Sequence, residues 1–180
     1  MTGPRQLILL TALSVCLAWP AARAAPVTAR DVVAAARERL NHVVRYDGSY
    51  RRLDYPMGDV PEHVGVCSDL VVRAYRGVGI DLQQLMHEDM QRRFSAYPTR
   101  WGLKRPDRNI DHRRVLNIAR YLALQGAALP LSRDPASYRP GDLVTWMLPG
   151  DLPHIGVVSD RYVPGTRRPL IVHNIGAGPV

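Results

Sequence analysis

The 180-residue chain reads as an α+β domain. Helix-period segments come first and strand-period segments rich in valine and isoleucine come last, an order that favours helices packed on an antiparallel sheet over the alternating pattern of a parallel one. The length suits one domain with a real core, and 46% hydrophobic content is ordinary for a globular protein. One stretch organises the rest: in Gly65-Val66-Cys67-Ser68-Asp69 a glycine frees the backbone and a cysteine opens the helix that follows.

The elements follow in order. Arg5, the apolar run Leu7 to Trp19 and the small-residue stretch Ala21 to Ala25 have the layout of a secretory signal peptide, too short to span a membrane. Ala22-Arg23-Ala24 supplies the small-x-small pattern, so cleavage after Ala24 is expected, giving an exported, periplasmic or extracellular domain over residues 25–180 with no integral membrane segment. Thr28 and Asp31 form a capping pair ahead of Val32, Val33, Ala36 and Leu40, predicting a helix that ends near Asn41. Residues 42–64 are turn-rich and read as irregular. The helix from Cys67 to Arg76 has Leu70, Val71, Ala74 and Tyr75 on its apolar stripe, and Gly77 and Gly79 stop it. Asp81 caps a short helix, Leu82 to Met90, with Leu82, Leu85, Met86 and Met90 inside. Residues 94–112 are aromatic, basic and proline-punctuated and read as surface loop; a helix from Arg113 to Gln125 follows. Beyond the turn at Tyr138-Arg139-Pro140-Gly141-Asp142, strands are predicted over Leu143–Leu148, His154–Asp160 and Leu170–Asn174.

Charge and cysteine content narrow the function. Loss of residues 1–24 removes Arg5 and Arg23 and no acid, taking the formal charge from +8 to +6. That balance suits a carboxylate-rich or acidic partner; no nucleic-acid motif accompanies it. Cleavage also removes Cys16 and leaves Cys67 unpaired in a compartment where cysteines normally pair. Burial as a small apolar residue is one explanation. Catalysis is the other, because a helix N-terminus favours the thiolate that acts as nucleophile.

A cysteine nucleophile needs a base and a group that orients the base. His154 opens an apolar strand, and His173 lies near the end of the next. If the two pair antiparallel through Pro164-Gly165-Thr166, the histidines become neighbours. Alternation lets only one of His173 and Asn174 face His154; His173 is preferred, with Asn174 held in reserve.

These residues carry a resemblance. A helix-opening cysteine, a Pro-Gly-Asp turn, a His-hydrophobic-Gly strand and a following strand with another histidine resemble the NlpC-type branch of papain-like cysteine peptidases. More closely, Gly65-Val66-Cys67-Ser68-Asp69, Arg73-Ala74-Tyr75-Arg76, Gly79-Ile80-Asp81-Leu82-Gln83, Asn109-Ile110-Asp111-His112-Arg113-Arg114, Pro140-Gly141-Asp142, His154-Ile155-Gly156 and His173-Asn174-Ile175-Gly176 resemble the bacterial family called domain of unknown function 1287. Family members usually continue into another strand, whereas this chain stops at Val180, so a C-terminal truncation is expected.

The resemblance implies a papain-like α+β fold and hydrolysis of amide bonds in peptidoglycan stem peptides, with Cys67 as nucleophile, His154 as base and His173 as orienting group. It further implies a tyrosine near the oxyanion, for which Tyr55 is the matching candidate, ahead of Tyr46 and Tyr50. Arg105, Arg113 and Arg114 beside Trp101 are either a grip for substrate carboxylates or a structural ion network. No metal or other cofactor is called for. Three alternatives stay open: a zinc site built from Cys67, His154 and His173, a non-catalytic module binding wall peptides, and acyl transfer to an amine. Oligomeric state is not legible.

Overall fold

The computed structural model describes residues 25–180; the expected signal peptide, residues 1–24, lies outside the described residues. The described residues fold as a mixed α+β domain, with four α-helices and a principal antiparallel sheet.

Helix α1 spans Ala29–Glu38. Thr28 caps it as its sequence predicts, its backbone N–H donating to Asp31 at 2.8 Å. Val32, Val33 and Ala36 are buried, but Leu40 is 41% exposed. The chain tightens there into a 3-10 turn over Arg39–Asn41, which takes Leu40 off the stripe that a continuing α-helix would bury.

The segment read as irregular contains one regular contact. Strand β1, Arg45–Tyr46, pairs in parallel with β2, Val64–Gly65, and sets Tyr46 opposite Gly65. Helix α2, Cys67–Gly77, follows at once and buries Leu70, Val71 and Ala74 as expected. Asp69 caps its first turn by accepting the Val66 N–H at 2.6 Å.

Helix α3, Leu82–Arg93, starts at the expected cap: Asp81 accepts from the N–H groups of Gln83 and Gln84. Leu82, Met86 and Met90 form one buried row at four-residue spacing; Leu85 falls off that row and is 40% exposed. Helix α4 covers Val115–Leu124, two residues later than expected, because Asp111–Arg113 form a 3-10 turn ahead of it.

The stretch 94–112, expected at the surface, reaches into the core. Tyr97, Asp111 and His112 are buried together with the adjoining Arg113. The polar groups tolerate this because they are matched: Tyr97 donates to Asp89, Asp111 accepts the Asp107 N–H at 2.6 Å, and Arg113 pairs with Asp69.

Strands β3, Leu143–Leu148, β4, Leu152–Tyr162, and β5, Pro169–Val172, form the antiparallel sheet in that spatial order. Trp146 pairs with His154, Val144 with Gly156, and Val157 with Val172. The predicted strand ending at Asn174 breaks at His173, after which β6, Asn174–Ile175, pairs with β7, Gly178–Pro179. Ile155, Val157 and Val172 join Ala36, Val71, Ala74, Met86 and Ile118 in one apolar core, which fixes α2 against β4. No helix among the described residues is long and apolar enough to cross a membrane.

Candidate active site

Cys67 occupies the first position of α2 and is 3% exposed. The Tyr46 hydroxyl donates to its sulfur at 3.8 Å, and the backbone N–H groups of Ile155 and Ser68 add to the pull toward thiolate. These donors and the helix start favour the thiolate, yet burial outweighs them and pushes the thiol above its ordinary value. Position at a helix N-terminus therefore does not by itself make this a standing thiolate, contrary to the expectation from sequence.

Cys67 and Ile155, the residue that follows His154 on β4, belong to the same apolar core. His154 is fully buried, and its Nε2 lies 3.0 Å from Nδ1 of His173. The two rings stand nearly perpendicular, 87° apart with centroids 5.1 Å from each other. Trp146 packs against both, at 4.7 Å and 5.4 Å. Burial, reinforced by the neighbouring His173, pulls His154 down to about 4; burial also lowers His173. Both imidazoles are therefore neutral at pH 7. The remaining ring nitrogen of His154, Nδ1, is buried without a hydrogen-bond partner.

Gly156 makes the close approach of β5 possible. A Cβ there would meet Ile171 Cγ2 at 2.5 Å, the Val172 carbonyl at 2.9 Å and His173 Cβ at 3.0 Å. Asn174, the reserve orienting residue, instead donates to the Gly65 carbonyl at 3.2 Å and so ties β6 to the segment before the cysteine.

Tyr55 is not among the donors to the sulfur. It packs against His87, with centroids 5.2 Å apart, and beneath Arg108. Tyr46 contacts the cysteine because the β1–β2 bridge sets it two residues ahead of the helix start. A bridge of two residues per strand has no periodicity, so the sequence carried no signal that would rank Tyr46 first.

Of the two roles left open for Arg113, substrate grip or structural ion network, the geometry is that of the network. Its guanidinium makes a buried two-point pair with Asp69, at 2.8 and 2.9 Å, and donates to the carbonyls of Ser49 and Asp47. Its own carbonyl accepts the Ser68 hydroxyl at 2.6 Å. One side chain thus clamps the segment after Tyr46 to the first turn that carries Cys67. Trp101 lies beneath Arg114, whose guanidinium carbon stands 4.4 Å from the ring centre and which also pairs with Asp111. The structural ion network is the arrangement Arg113 and Arg114 adopt. Sequence reading ranked Tyr46 behind Tyr55 and missed Asp69, Trp146 and Gly156 as parts of the site.

A cleft of about 720 Å³ runs along β3, lined among others by Leu122, Leu131, Tyr138, Val144, Trp146 and Ile155. Trp146, which packs against both histidines, and Ile155, which shares the core with Cys67, give this apolar channel a common wall with the site. Among the described residues no group of three or more His, Cys, Asp or Glu side chains is placed to share a metal ion.

No solved structure matches the chain. Over 144 residues, 79% of this chain and 69% of the relative, it is 51% identical to a protein of Escherichia coli (strain K12) described as "Uncharacterized protein YijF". The family described as "Domain of unknown function (DUF1287)" matches residues 33–180, a span that holds Cys67, His154 and His173 alike, and the chain belongs to that family.

Proposed function

We propose that the chain is an exported cysteine hydrolase of papain-like, NlpC-type fold that cleaves amide bonds in the stem peptides of peptidoglycan. The observation that carries the reading is the histidine pair: one nitrogen of His154 engages His173 at 3.0 Å, the other is buried and unpartnered, and the N–H of Ile155, next along the strand, pulls the cysteine toward thiolate. A nucleophile, a base with a free lone pair and an orienting group are thereby drawn from three distant parts of the chain.

The reaction requires the His154 tautomer with hydrogen on Nε2, which donates to His173 Nδ1 and leaves Nδ1 as the base. Neutral His154 takes the Cys67 proton as the sulfur attacks the amide carbonyl. The carbonyl π pair moves to oxygen, and the Tyr46 hydroxyl and the N–H groups at the start of α2 are the donors available to that oxyanion. Burial raises the Tyr46 pKa, so the hydroxyl stays a donor. When the intermediate collapses, the C–N bond breaks, the imidazolium returns its proton to the leaving amine, and a thioester remains. Water then attacks the thioester, losing a proton to His154. The C–S bond breaks, the proton returns to sulfur, and the carboxylic acid leaves. The basic mature charge and the expected signal peptide fit an envelope substrate rich in carboxylates.

Digestion of purified muropeptides by the wild-type protein and by Cys67→Ala, with products read by mass spectrometry, tests this. One specific cleavage, lost in the variant, is expected. An amine adduct in place of the free acid identifies acyl transfer, and identical product spectra from the two proteins refute catalysis by Cys67.

A further inference from the structure

Most arginines near the core are matched to carboxylates, as Arg73 is to Asp59, Arg93 to Asp89 and Arg113 to Asp69. One short loop departs from that pattern. Lys104, Arg105 and Arg108 are exposed, have no carboxylate within 4.0 Å among the described residues, and line the same open cavity of about 760 Å³. Tyr50, Asp107 and Asn109 share its wall.

The carboxylate in that wall is already occupied. Asp107 Oδ1 accepts from the backbone and side-chain nitrogens of Asn109, at 2.9 and 3.0 Å, and Oδ2 accepts the Tyr50 hydroxyl at 3.0 Å. Three cations against one engaged carboxylate leave a net surplus of two positive charges around the cavity. Arg108 also leans on the Tyr55 ring, its guanidinium carbon 5.5 Å from the centroid, which limits the orientations open to that group. Guanidinium and ammonium groups without an internal partner suit an incoming carboxylate through charge-assisted hydrogen bonds.

The cavity connects to the sulfur through one piece of chain. Tyr46 touches Cys67 and Tyr50 lines the cavity, and the Ser49 carbonyl between them is held by Arg113. Four residues of fully extended chain span at most about 14 Å. A wall peptide of four or five residues has the same reach, so its scissile bond and a distal carboxylate can occupy both places together.

We propose that the Lys104–Arg105–Arg108 cavity is an anion subsite for the carboxylates of the wall peptide whose amide is presented to Cys67; the identity of the ligand rests on the hydrolase reading above. The test uses Cys67→Ala protein titrated calorimetrically with a muropeptide carrying free carboxylates and with the same muropeptide fully amidated. A companion protein adds K104A, R105A and R108A, three exposed side chains whose removal uncovers no buried charge. The free-carboxylate peptide is expected to bind the triple variant about tenfold more weakly, with a shallower dependence on salt. Amidation is expected to weaken binding to the parent by a similar factor and to change little in the variant. Equal binding of both peptides by the parent, equal binding of the free-carboxylate peptide by parent and variant, or no binding at all overturns the subsite. Hydrolysis by the Cys67-bearing protein is read separately. Cleavage with an unchanged KM in the triple variant removes the subsite and leaves the hydrolase; charge-dependent binding without cleavage removes the hydrolase and leaves the subsite.

Discussion

The first turn of α2 and the strands from β4 to β6 both contribute to the site, and they are built on different terms. On the helix side the polar groups are matched: Asp69 accepts from Arg113 twice and from the Val66 N–H, while Arg113 also holds two carbonyls of the Tyr46 segment. On the strand side, buried capacity is left unmet, at Nδ1 of His154 and Oδ1 of Asn174. Native proteins rarely leave buried polar atoms unpaired, and the exceptions call for an explanation. On the hydrolase reading this contrast separates scaffold from chemistry: the matched half fixes where the sulfur sits, and the unmatched half would leave a lone pair free to move a proton.

The sharpest way to break this contrast is to remove the clamp. Arg113→Met leaves Asp69 buried without its counter-charge, and a loss of about 3–5 kcal/mol is expected in urea unfolding. A loss below about 1 kcal/mol would mean that the pair is not the scaffold described. Tyr46→Phe comes next. It removes one donor beside the sulfur, and kcat on muropeptides should fall about a hundredfold with little change in stability. Tyr55→Phe should leave kcat unchanged; equal losses in the two variants would erase the distinction between the tyrosines. Gly156→Ala presses a methyl onto Ile171 and the Val172 carbonyl, and about 1–3 kcal/mol of destabilisation is expected. Because the same methyl displaces His173, activity should fall beyond what the unfolded fraction explains. The smallest effect concerns pH. Burial disfavours the Cys67 thiolate, so iodoacetamide alkylation should climb about tenfold per pH unit and still be climbing above pH 9. A plateau near pH 7 would show a sulfur already ionised at rest.

What the sequence revealed and what it hid divide along the same line. The cysteine at a helix start, the three strands and the meeting of His154 with His173 all follow from local periodicity plus one hairpin, and short-range patterning is what a sequence displays most directly. The Asp69–Arg113 clamp joins residues 44 positions apart. Tyr46 reaches the sulfur through a bridge only two residues long, and α4 begins late because a 3-10 turn delivers Arg113 into the core. None of these leaves a periodic trace, and a basic, proline-broken stretch reads as surface however many of its side chains find buried partners. Leu40 and Leu85 err in the opposite direction, for they keep approximate helical spacing while the backbone turns them outward.

The sealed position of Cys67 bears on its survival as well as its chemistry. Peroxides and disulfide exchange act on the thiolate, and it is the sole free cysteine among the described residues. A buried sulfur held in its protonated form offers oxidants little to attack, so the resting protein should outlast an exposed thiolate in peroxide.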